Sequence, residues 1–223
     1  MAIRRTNKLN QKKWLKDNKH LKILDLGCSP VNYWKEANHF ADIEDHTEYF
    51  NKLNLKYTYF KPNEKLPFKN KEFDYVILSH VLEHVPEPFK LKEEIERIGK
   101  AGYIELPTKL NDNMVFGCDE EDLGHKWWFE FDDDNQKLVF AKRIDALEKF
   151  VSVGSIFKLT EIFQDSFILQ LYWSDNISLE MREKYILDNK ITFLSLIRKF
   201  YSKKIRVFLS ILKNIFKKRN ENN

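Results

Sequence analysis

The chain has 223 residues, of which 43% are hydrophobic and 32% charged, and its formal net charge is +4. This length and apolar content are sufficient for one α/β domain of ordinary size with a small appendage. The first 20 residues are basic and lack the apolar segment of a secretory signal, and no apolar run of about 18 residues would span a bilayer. The two cysteines, Cys28 and Cys118, have no metal-binding spacing. We therefore expect no disulfide framework and a cytoplasmic location.

The positive charge is concentrated at the C-terminal end. Residues 190–223 contain ten Lys and Arg and one acidic residue, a net charge of +9, whereas the preceding 189 residues contain 28 basic and 33 acidic residues, a net charge of −5. We therefore divide the chain into a basic N-terminal lead-in over residues 1–20, a main domain over residues 21–189 and a basic tail over residues 190–223.

Short apolar segments predict strands that alternate with helices over residues 20–110. A helix is expected within the lead-in, from Gln11 to Lys19, and another over Pro88–Ile98, where apolar residues recur at helical spacing and Gly99 or Gly102 would end the helix. The predicted strands are Lys22–Leu26, His39–Ile43, Lys56–Phe60, Tyr75–Ser79 and Gly102–Leu106. This alternation predicts an α/β fold with a doubly wound, mostly parallel sheet.

A different pattern follows the fifth strand. Lys126–Phe131 and Lys137–Arg143 flank a polar turn, which predicts a β-hairpin. Ile144–Val151 is predicted to be helical, and Phe167–Trp173 is predicted to form a further strand. Because antiparallel strands often lie at the end of a parallel sheet in mixed α/β folds, we expect that arrangement here.

Two turns carry the first candidate binding residues. Gly27 follows the first strand, where backbone without a Cβ and the start of a helix would suit a ligand. The glycine-rich fingerprint of a dinucleotide site is missing, however, and an ordinary tight turn would look similar. Asp42 ends the second strand and is placed to bind ribose hydroxyls, with Glu44 and Asp45 as alternatives. A solvated loop carboxylate is the simpler interpretation of each.

The fourth strand ends in Ser79 and His80, at the sheet edge where open α/β folds bind their ligands. With the other segments, it resembles the class I S-adenosylmethionine-dependent methyltransferases. The matching segments are Ile23–Cys28, Asp42, Leu66–Phe68, Phe73–Val76 and Ser79–Val85. Gly102–Thr108 followed by His125, Lys126 and Trp127 is similar to a bacterial subgroup. The resemblance covers residues 20–175 or so and implies a Rossmann-like fold with S-adenosylmethionine as cofactor.

The resemblance also implies roles for individual residues. Asp25, Gly27 and Ser29 would form the turn that holds the methionine end of the cofactor, and Asp42 would bind its ribose. Asn63 would lie beside the adenine, and Ser79 with His80 would close over the sulfonium. The chain departs from the family pattern at two positions: Ser29 replaces a usual Gly, and Pro62 replaces a frequent Asp that bonds the adenine amine. A catalytically inactive scaffold with this fold is therefore a competing hypothesis.

Methyl transfer to a hydroxyl is assisted by a general base, and imidazole suits neutral pH. His84, one helical turn after His80, is the first candidate base, and His125 is the second. Local packing of His84 is the alternative. The acidic residues 119–122 near Cys118 and His125 show no defined ligand spacing, so we expect no metal.

The tail predicts a basic amphipathic helix or helix pair. Polar residues recur at helical spacing at positions 195, 199, 202, 206, 210, 213 and 217, and bulky apolar residues cover the rest. Such a helix suits an anionic membrane surface, with peripheral attachment. It could instead pack on the main domain or on a second subunit, and nucleic acid is a less suitable partner. The expected activity is methyl transfer to a small molecule, for which a lipid-linked or glycan hydroxyl would explain the tail. The alternatives are an inactive scaffold and a membrane-surface adaptor.

Overall fold

The structure is a computed structural model and describes residues 3–62, 64–112, 124–143 and 164–182, together with positions 201, 205 and 208. The predicted helix over residues 144–151, Asn63 and Cys118 lie outside the described residues. The chain divides into two compact units, Met1–Lys184 and Tyr185–Asn223. Among the described residues, no helix has the length and apolar character needed to cross a membrane.

The first unit is built on a seven-stranded sheet. Its strands are β1 (Ile3–Arg5), β2 (Ile23–Leu26), β3 (His39–Asp42), β4 (Lys56–Tyr59), β5 (Phe73–Ser79), β6 (Gly99–Pro107) and β9 (Ile168–Ser174), in the spatial order β1-β9-β6-β5-β2-β3-β4. The five strands from β6 to β4 are parallel to one another, and β9 and β1 are antiparallel to their neighbours. The predicted fold class, a mostly parallel sheet with antiparallel strands at one end, is confirmed.

Five helices or helical turns of the first unit are described. They are α1 (Lys8–Asp17), α2 (Thr47–Lys52), α3 (Pro88–Ile98), α4 (Lys109–Asp112) and α5 (Gln164–Phe167). The side chain of Asn7 caps α1 by accepting a hydrogen bond from the amide of Leu9. Helix α3 has the predicted bounds, since Pro88 needs no hydrogen-bond donor at the helix start. Gly99 ends α3 in an extended conformation and is already the first residue of β6, so the strand starts three residues earlier than predicted.

The predicted hairpin forms, but in a second sheet. Strands β7 (Trp127–Asp132) and β8 (Lys137–Lys142) are antiparallel, and β10 (Leu179–Met181), which was not predicted, pairs in parallel with β8. Phe129 and Phe140 are buried in the same apolar cluster as the main sheet and α3. The hairpin therefore covers one face of the main sheet instead of extending its edge, and this position buries most side chains of β8 and half of those of β7.

The two faces of the main sheet bury separate clusters. Along β5, Val76 and Leu78 point to the face covered by α3 and the hairpin, whereas Tyr75 and Ile77 point to the face covered by α1 and α2. This alternation follows from the two-residue period of a strand, and it explains why β5 is apolar at nearly every position.

The basic lead-in packs into the first unit. Ile3 is 1% exposed and belongs to the main core. Arg5 forms two hydrogen bonds, of 2.7 and 2.9 Å, with the carboxylate of Asp133 at the hairpin turn. Helix α1 covers the opposite face through the buried Leu15. The lead-in is anchored to the first unit because Ile3 of β1 and Leu15 of α1 are buried in its core.

Candidate functional site

Three neighbouring parallel strands end at the same level. Leu26 of β2 is paired with Ala41 of β3 on one side and with Leu78 of β5 on the other. The residues that follow this row at the carboxyl edge are Gly27, Asp42 and Ser79. Three of the predicted cofactor-binding residues are therefore brought together at one edge, as expected for a ligand site in an open α/β sheet.

Gly27 is held in a conformation that favours glycine. Its φ is +83°, and its amide donates a 2.8 Å hydrogen bond to the carbonyl of Ala41. A Cβ built at this position would lie 2.4 Å from Cγ2 of Val81. Glycine is thus needed at this position so that the segment after β5 can cross the first turn, a packing role that differs from the ligand contact expected from the sequence.

The turn after β2 is not followed by a helix, whose start would have suited a ligand. Ser29 and Asn32 exchange two backbone hydrogen bonds of 3.1 Å, which close a tight turn around Pro30. Among the described residues, the twelve between β2 and β3 contain no helix. Ser29 therefore contributes a turn, and helix N–H donors are missing from this part of the candidate site.

Asp25 lies below the edge rather than on it. The side chain is 2% exposed, and Oδ2 accepts a 2.7 Å hydrogen bond from the amide of Trp34. Burial raises its pKa to about 7. The main contact that Asp25 makes is with the loop after β2, so its effect on a cofactor is through the shape of that loop.

Asp42 is the best placed of the three acidic residues near the end of β3. It is half-buried at the edge row, Oδ1 accepts a 2.9 Å hydrogen bond from the amide of Glu44, and burial raises its pKa. Glu44 is exposed and lies 3.3 Å from His46. Asp45 is exposed and accepts a hydrogen bond from the amide of Thr47, which lowers its pKa. The geometry therefore fits Asp42 as the acid that faces a ribose.

His80 joins a chain of charged groups at the end of β5. Its backbone φ is +58°, Nδ1 lies 3.2 Å from Oε1 of Glu83, and Nε2 lies 3.3 Å from Oε1 of Glu105. Lys8 of α1 and Tyr103 also bond the carboxylate of Glu105, at 2.8 and 2.5 Å. Burial alone would lower the pKa of His80, but the two carboxylates outweigh it and raise this pKa to about 9.

Glu105 is the centre of this network. Burial would raise its pKa, but the contacts with His80, Lys8 and Tyr103 lower it to about 2. The imidazolium is thus balanced by two carboxylates and presents little net positive charge to a sulfonium at the same edge. Neither Lys8 nor Glu105 was singled out from the sequence, because they are 97 residues apart.

The two candidate bases lie together. The rings of His84 and His125 are 4.7 Å apart in an edge-to-face arrangement. Nδ1 of His125 lies 2.7 Å from Oδ1 of Asp112 in α4. Arg143 lies 3.9 Å from Oδ2 of Asp112 and donates a hydrogen bond to the carbonyl of His125. Asp112 is 1% exposed; the buried carboxylate fixes the ring of His125 and leaves Nε2 as the nitrogen that can accept a proton or bind an ion.

Glu83 completes this group. Its side chain is 0% exposed, and neither carboxylate oxygen has a hydrogen-bond partner among the described residues. Glu83, His84 and His125 each place one potential ligand atom within 4.8 Å of the others. The sequence did not indicate a role in the site for Glu83, Asp112 and Arg143. Charged residues are usually exposed, and nothing in the neighbouring sequence shows that these three are buried.

Comparisons with known proteins fit the edge just described. Residues 24–104 match the family described as a methyltransferase domain. The comparison with curated proteins gives no match.

Among solved structures, the chain is similar to a SAM dependent methyltransferase from Aquifex aeolicus, with 16% identity over 73% of this chain and 88% of that chain and a TM-score of 0.36. It is similar to a SAM dependent methyltransferase from Archaeoglobus fulgidus (16% identity, 75% and 94% covered, TM-score 0.39). It is also similar to a putative sarcosine dimethylglycine methyltransferase from Galdieria sulphuraria (13% identity, 76% and 87% covered, TM-score 0.41).

The matched segment runs from β2 into β6 and includes the edge row of Gly27, Asp42 and Ser79. A half-buried carboxylate at the end of β3 and a charge-balanced histidine after β5 are compatible with an adenosyl sulfonium bound along this edge. The family predicted from the sequence motifs is confirmed. Residues 24–104 match a methyltransferase domain, which supports a class I S-adenosylmethionine-dependent methyltransferase with S-adenosylmethionine as its cofactor.

Proposed function

We propose that this protein transfers a methyl group from S-adenosylmethionine to a hydroxyl group of a small molecule. The observation that carries the proposal is the edge row of Gly27, Asp42 and Ser79, at the ends of three adjacent parallel strands within the matched segment. In this arrangement the Asp42 carboxylate binds the ribose hydroxyls, and the turn at Gly27 holds the methionine end. Ser79 and His80 lie beside the sulfonium.

In the proposed arrangement, the acceptor binds on the side of His84 and His125. When bound, the cofactor supplies an electrophilic methyl group, so the protein has to position the acceptor oxygen and manage its proton. Asp112 fixes the tautomer and orientation of His125 through the 2.7 Å contact with Nδ1. A histidine held in this way presents a lone pair that activates a hydroxyl near neutral pH.

A lipid-linked or glycan acceptor is our proposal for the substrate class, and the tail supports it. Tyr201, Ile205 and Phe208 are helical and are 59%, 55% and 60% exposed. Their spacing of four and three residues places them on one face of a helix. An exposed apolar face in a segment with a net charge of +9 suits an anionic membrane surface, to which the chain would attach peripherally.

Transfer can be followed with S-adenosylmethionine labelled in the methyl group. The full chain is incubated with a cell extract, which is then separated into lipid and water-soluble fractions. We expect label in the lipid fraction, and at least tenfold less label with the Asp42→Ala variant at a cofactor concentration below saturation. Cofactor binding without label in either fraction would support the inactive scaffold instead, and label in the water-soluble fraction alone would exclude a lipid-linked acceptor.

Membrane attachment is tested by replacing Tyr201, Ile205 and Phe208 together with serine in the full chain. Since burying each of these side chains contributes roughly 1.5–3 kcal/mol, we expect binding to anionic vesicles to fall at least tenfold, with cofactor binding unchanged. Val31→Ser is the matched control, because Val31 is 96% exposed and lies in the other unit. Unchanged vesicle binding by the triple variant would refute the membrane role.

A further inference from the structure

We propose that Glu83, His84 and His125 form a binding site for a divalent transition-metal ion of the zinc type, which activates the acceptor. This inference deepens the proposed function, because the bound ion replaces the lone pair of His125 in activating the acceptor hydroxyl, and it reverses the expectation from the sequence that no metal is bound. The three side chains place one potential ligand atom each within 4.8 Å of one another. Two imidazole nitrogens and one carboxylate oxygen are a ligand set of catalytic zinc sites.

Glu83 gives the strongest indication. Its carboxylate is completely buried, and neither oxygen has a hydrogen-bond partner among the described residues. Burial of a carboxylate without hydrogen bonds is costly, so such groups are normally paired or bind a metal. His80 supplies one nearby cation, with Nδ1 at 3.2 Å from Oε1, but this imidazole is shared with Glu105. An ion between Glu83 and the two histidines would give the buried carboxylate a direct partner in addition to this shared imidazole.

The surroundings of His125 match those of a metal ligand. In many metal sites a ligating histidine donates its other ring N–H to a carboxylate, which fixes the ring and strengthens the metal bond. Asp112 occupies that position here, 2.7 Å from Nδ1 of His125, and is itself buried beside Arg143. Nε2 of His125 is then the nitrogen available to the ion.

The backbone holds the two parts of the site together. The amide of Lys126 donates a 2.7 Å hydrogen bond to the carbonyl of Glu83, and Nε1 of Trp127 donates a 2.8 Å bond to the carbonyl of Val85. The segment before β7 is thereby fixed against the segment after β5. A zinc ion lies about 2.0–2.2 Å from each ligand, so side-chain movements on the order of 1 Å would complete the coordination.

The ligand set indicates the class of metal. Imidazole favours zinc and neighbouring transition ions, whereas magnesium and calcium prefer ligand sets made of oxygen. Three protein ligands leave at least one position open for a water or for the acceptor hydroxyl. An ion in this place lowers the pKa of a bound hydroxyl, whose proton passes to solvent, and it holds the oxygen beside the edge that contains His80.

The test uses the full chain without a histidine tag, freed of metal with a chelator and titrated with Co²⁺ or Zn²⁺. We expect saturable binding of one ion per chain by visible absorption of Co²⁺ and by calorimetry with Zn²⁺, with no saturable binding of Mg²⁺. Glu83→Gln and His84→Gln should each weaken binding at least tenfold, and Asp112→Asn should weaken it roughly 10–100-fold. His20→Gln, which alters an exposed histidine elsewhere, should bind as the wild type does.

Circular dichroism of the metal-free variants shows whether they are folded, and either Glu83→Gln or His84→Gln is sufficient for the comparison. Absence of saturable binding by the wild-type chain would overturn the inference, as would equal affinity in the folded variants. The metal titrations need no S-adenosylmethionine. Cofactor binding without metal binding would therefore remove only this inference, and metal binding without cofactor binding would remove only the proposed function.

Discussion

A single methyl group added at position 27 tests how the first turn of the site is built. Alanine at this position would have to adopt a φ of +83°, which costs an L-residue about 1–2 kcal/mol. Its Cβ would also lie 2.4 Å from Cγ2 of Val81, and relief of such a clash costs about 1–3 kcal/mol. We expect Gly27→Ala to lower the free energy of unfolding by about 2–5 kcal/mol, a large part of the 5–15 kcal/mol typical of a domain.

A double-mutant cycle separates these two contributions. In a Val81→Ala background the offending methyl is removed, so Gly27→Ala should cost only about 1–2 kcal/mol, the backbone contribution. Urea denaturation of the four proteins gives the coupling energy. Gly99→Ala is the control, because its Cβ would lie 2.6 Å from Cγ2 of Val76 at a φ of −112°. The loss of unfolding free energy caused by Gly99→Ala should be the same in the wild-type and the Val81→Ala proteins. A coupling energy near zero between positions 27 and 81 would refute the proposed packing of the first turn.

Two further predictions concern buried carboxylates. Burial raises the pKa of Asp25 to about 7; between about pH 4 and this value the folded state retains a proton that the unfolded state loses, so stability falls as pH rises. Asp25→Asn should remove up to about 4 kcal/mol of this decrease, measured by urea denaturation across that range; an unchanged pH dependence would contradict it. Glu105→Gln should destabilise the fold by about 1–3 kcal/mol, because His80 and Lys8 lose a charged partner. The control is Glu87→Gln, at an exposed ion pair, which should lower the free energy of unfolding by less than about 1 kcal/mol. Equal losses of stability in the Glu105 and Glu87 variants would argue against a stabilising role for the charged groups around Glu105.

The parallel part of the sheet could be predicted because its strands are short, apolar and bounded by polar turns. Helix α3 was predicted with its correct ends, since Pro88 marks its start and Gly99 its end. Strand β1 was missed because its three residues include only one apolar side chain, and its pairing with β9 connects positions about 170 residues apart. The turn after Gly27 was predicted, but the way it closes was not: Ser29 and Asn32 exchange two backbone hydrogen bonds.

The candidate site was only partly predictable. Residues at strand ends were identified, since the topology of an open α/β sheet determines where those ends meet. Glu83 lies beside His84 in the sequence, but local sequence does not show that its carboxylate is completely buried. The contact between Asp112 and His125, and that between Lys8 and Glu105, depend on tertiary packing alone. Charged groups that meet only in the folded chain leave no periodic pattern in the sequence.

Isothermal titration calorimetry of the full chain with S-adenosylmethionine tests the cofactor site most directly. The edge of β2, β3 and β5 should bind one molecule per chain, and Asp42→Ala should weaken binding at least tenfold through loss of the ribose contact. Asp45→Ala should bind normally, because this carboxylate is exposed and directed to the amide of Thr47. No binding by the wild-type chain, or equal affinity in the Asp42 and Asp45 variants, would contradict the account.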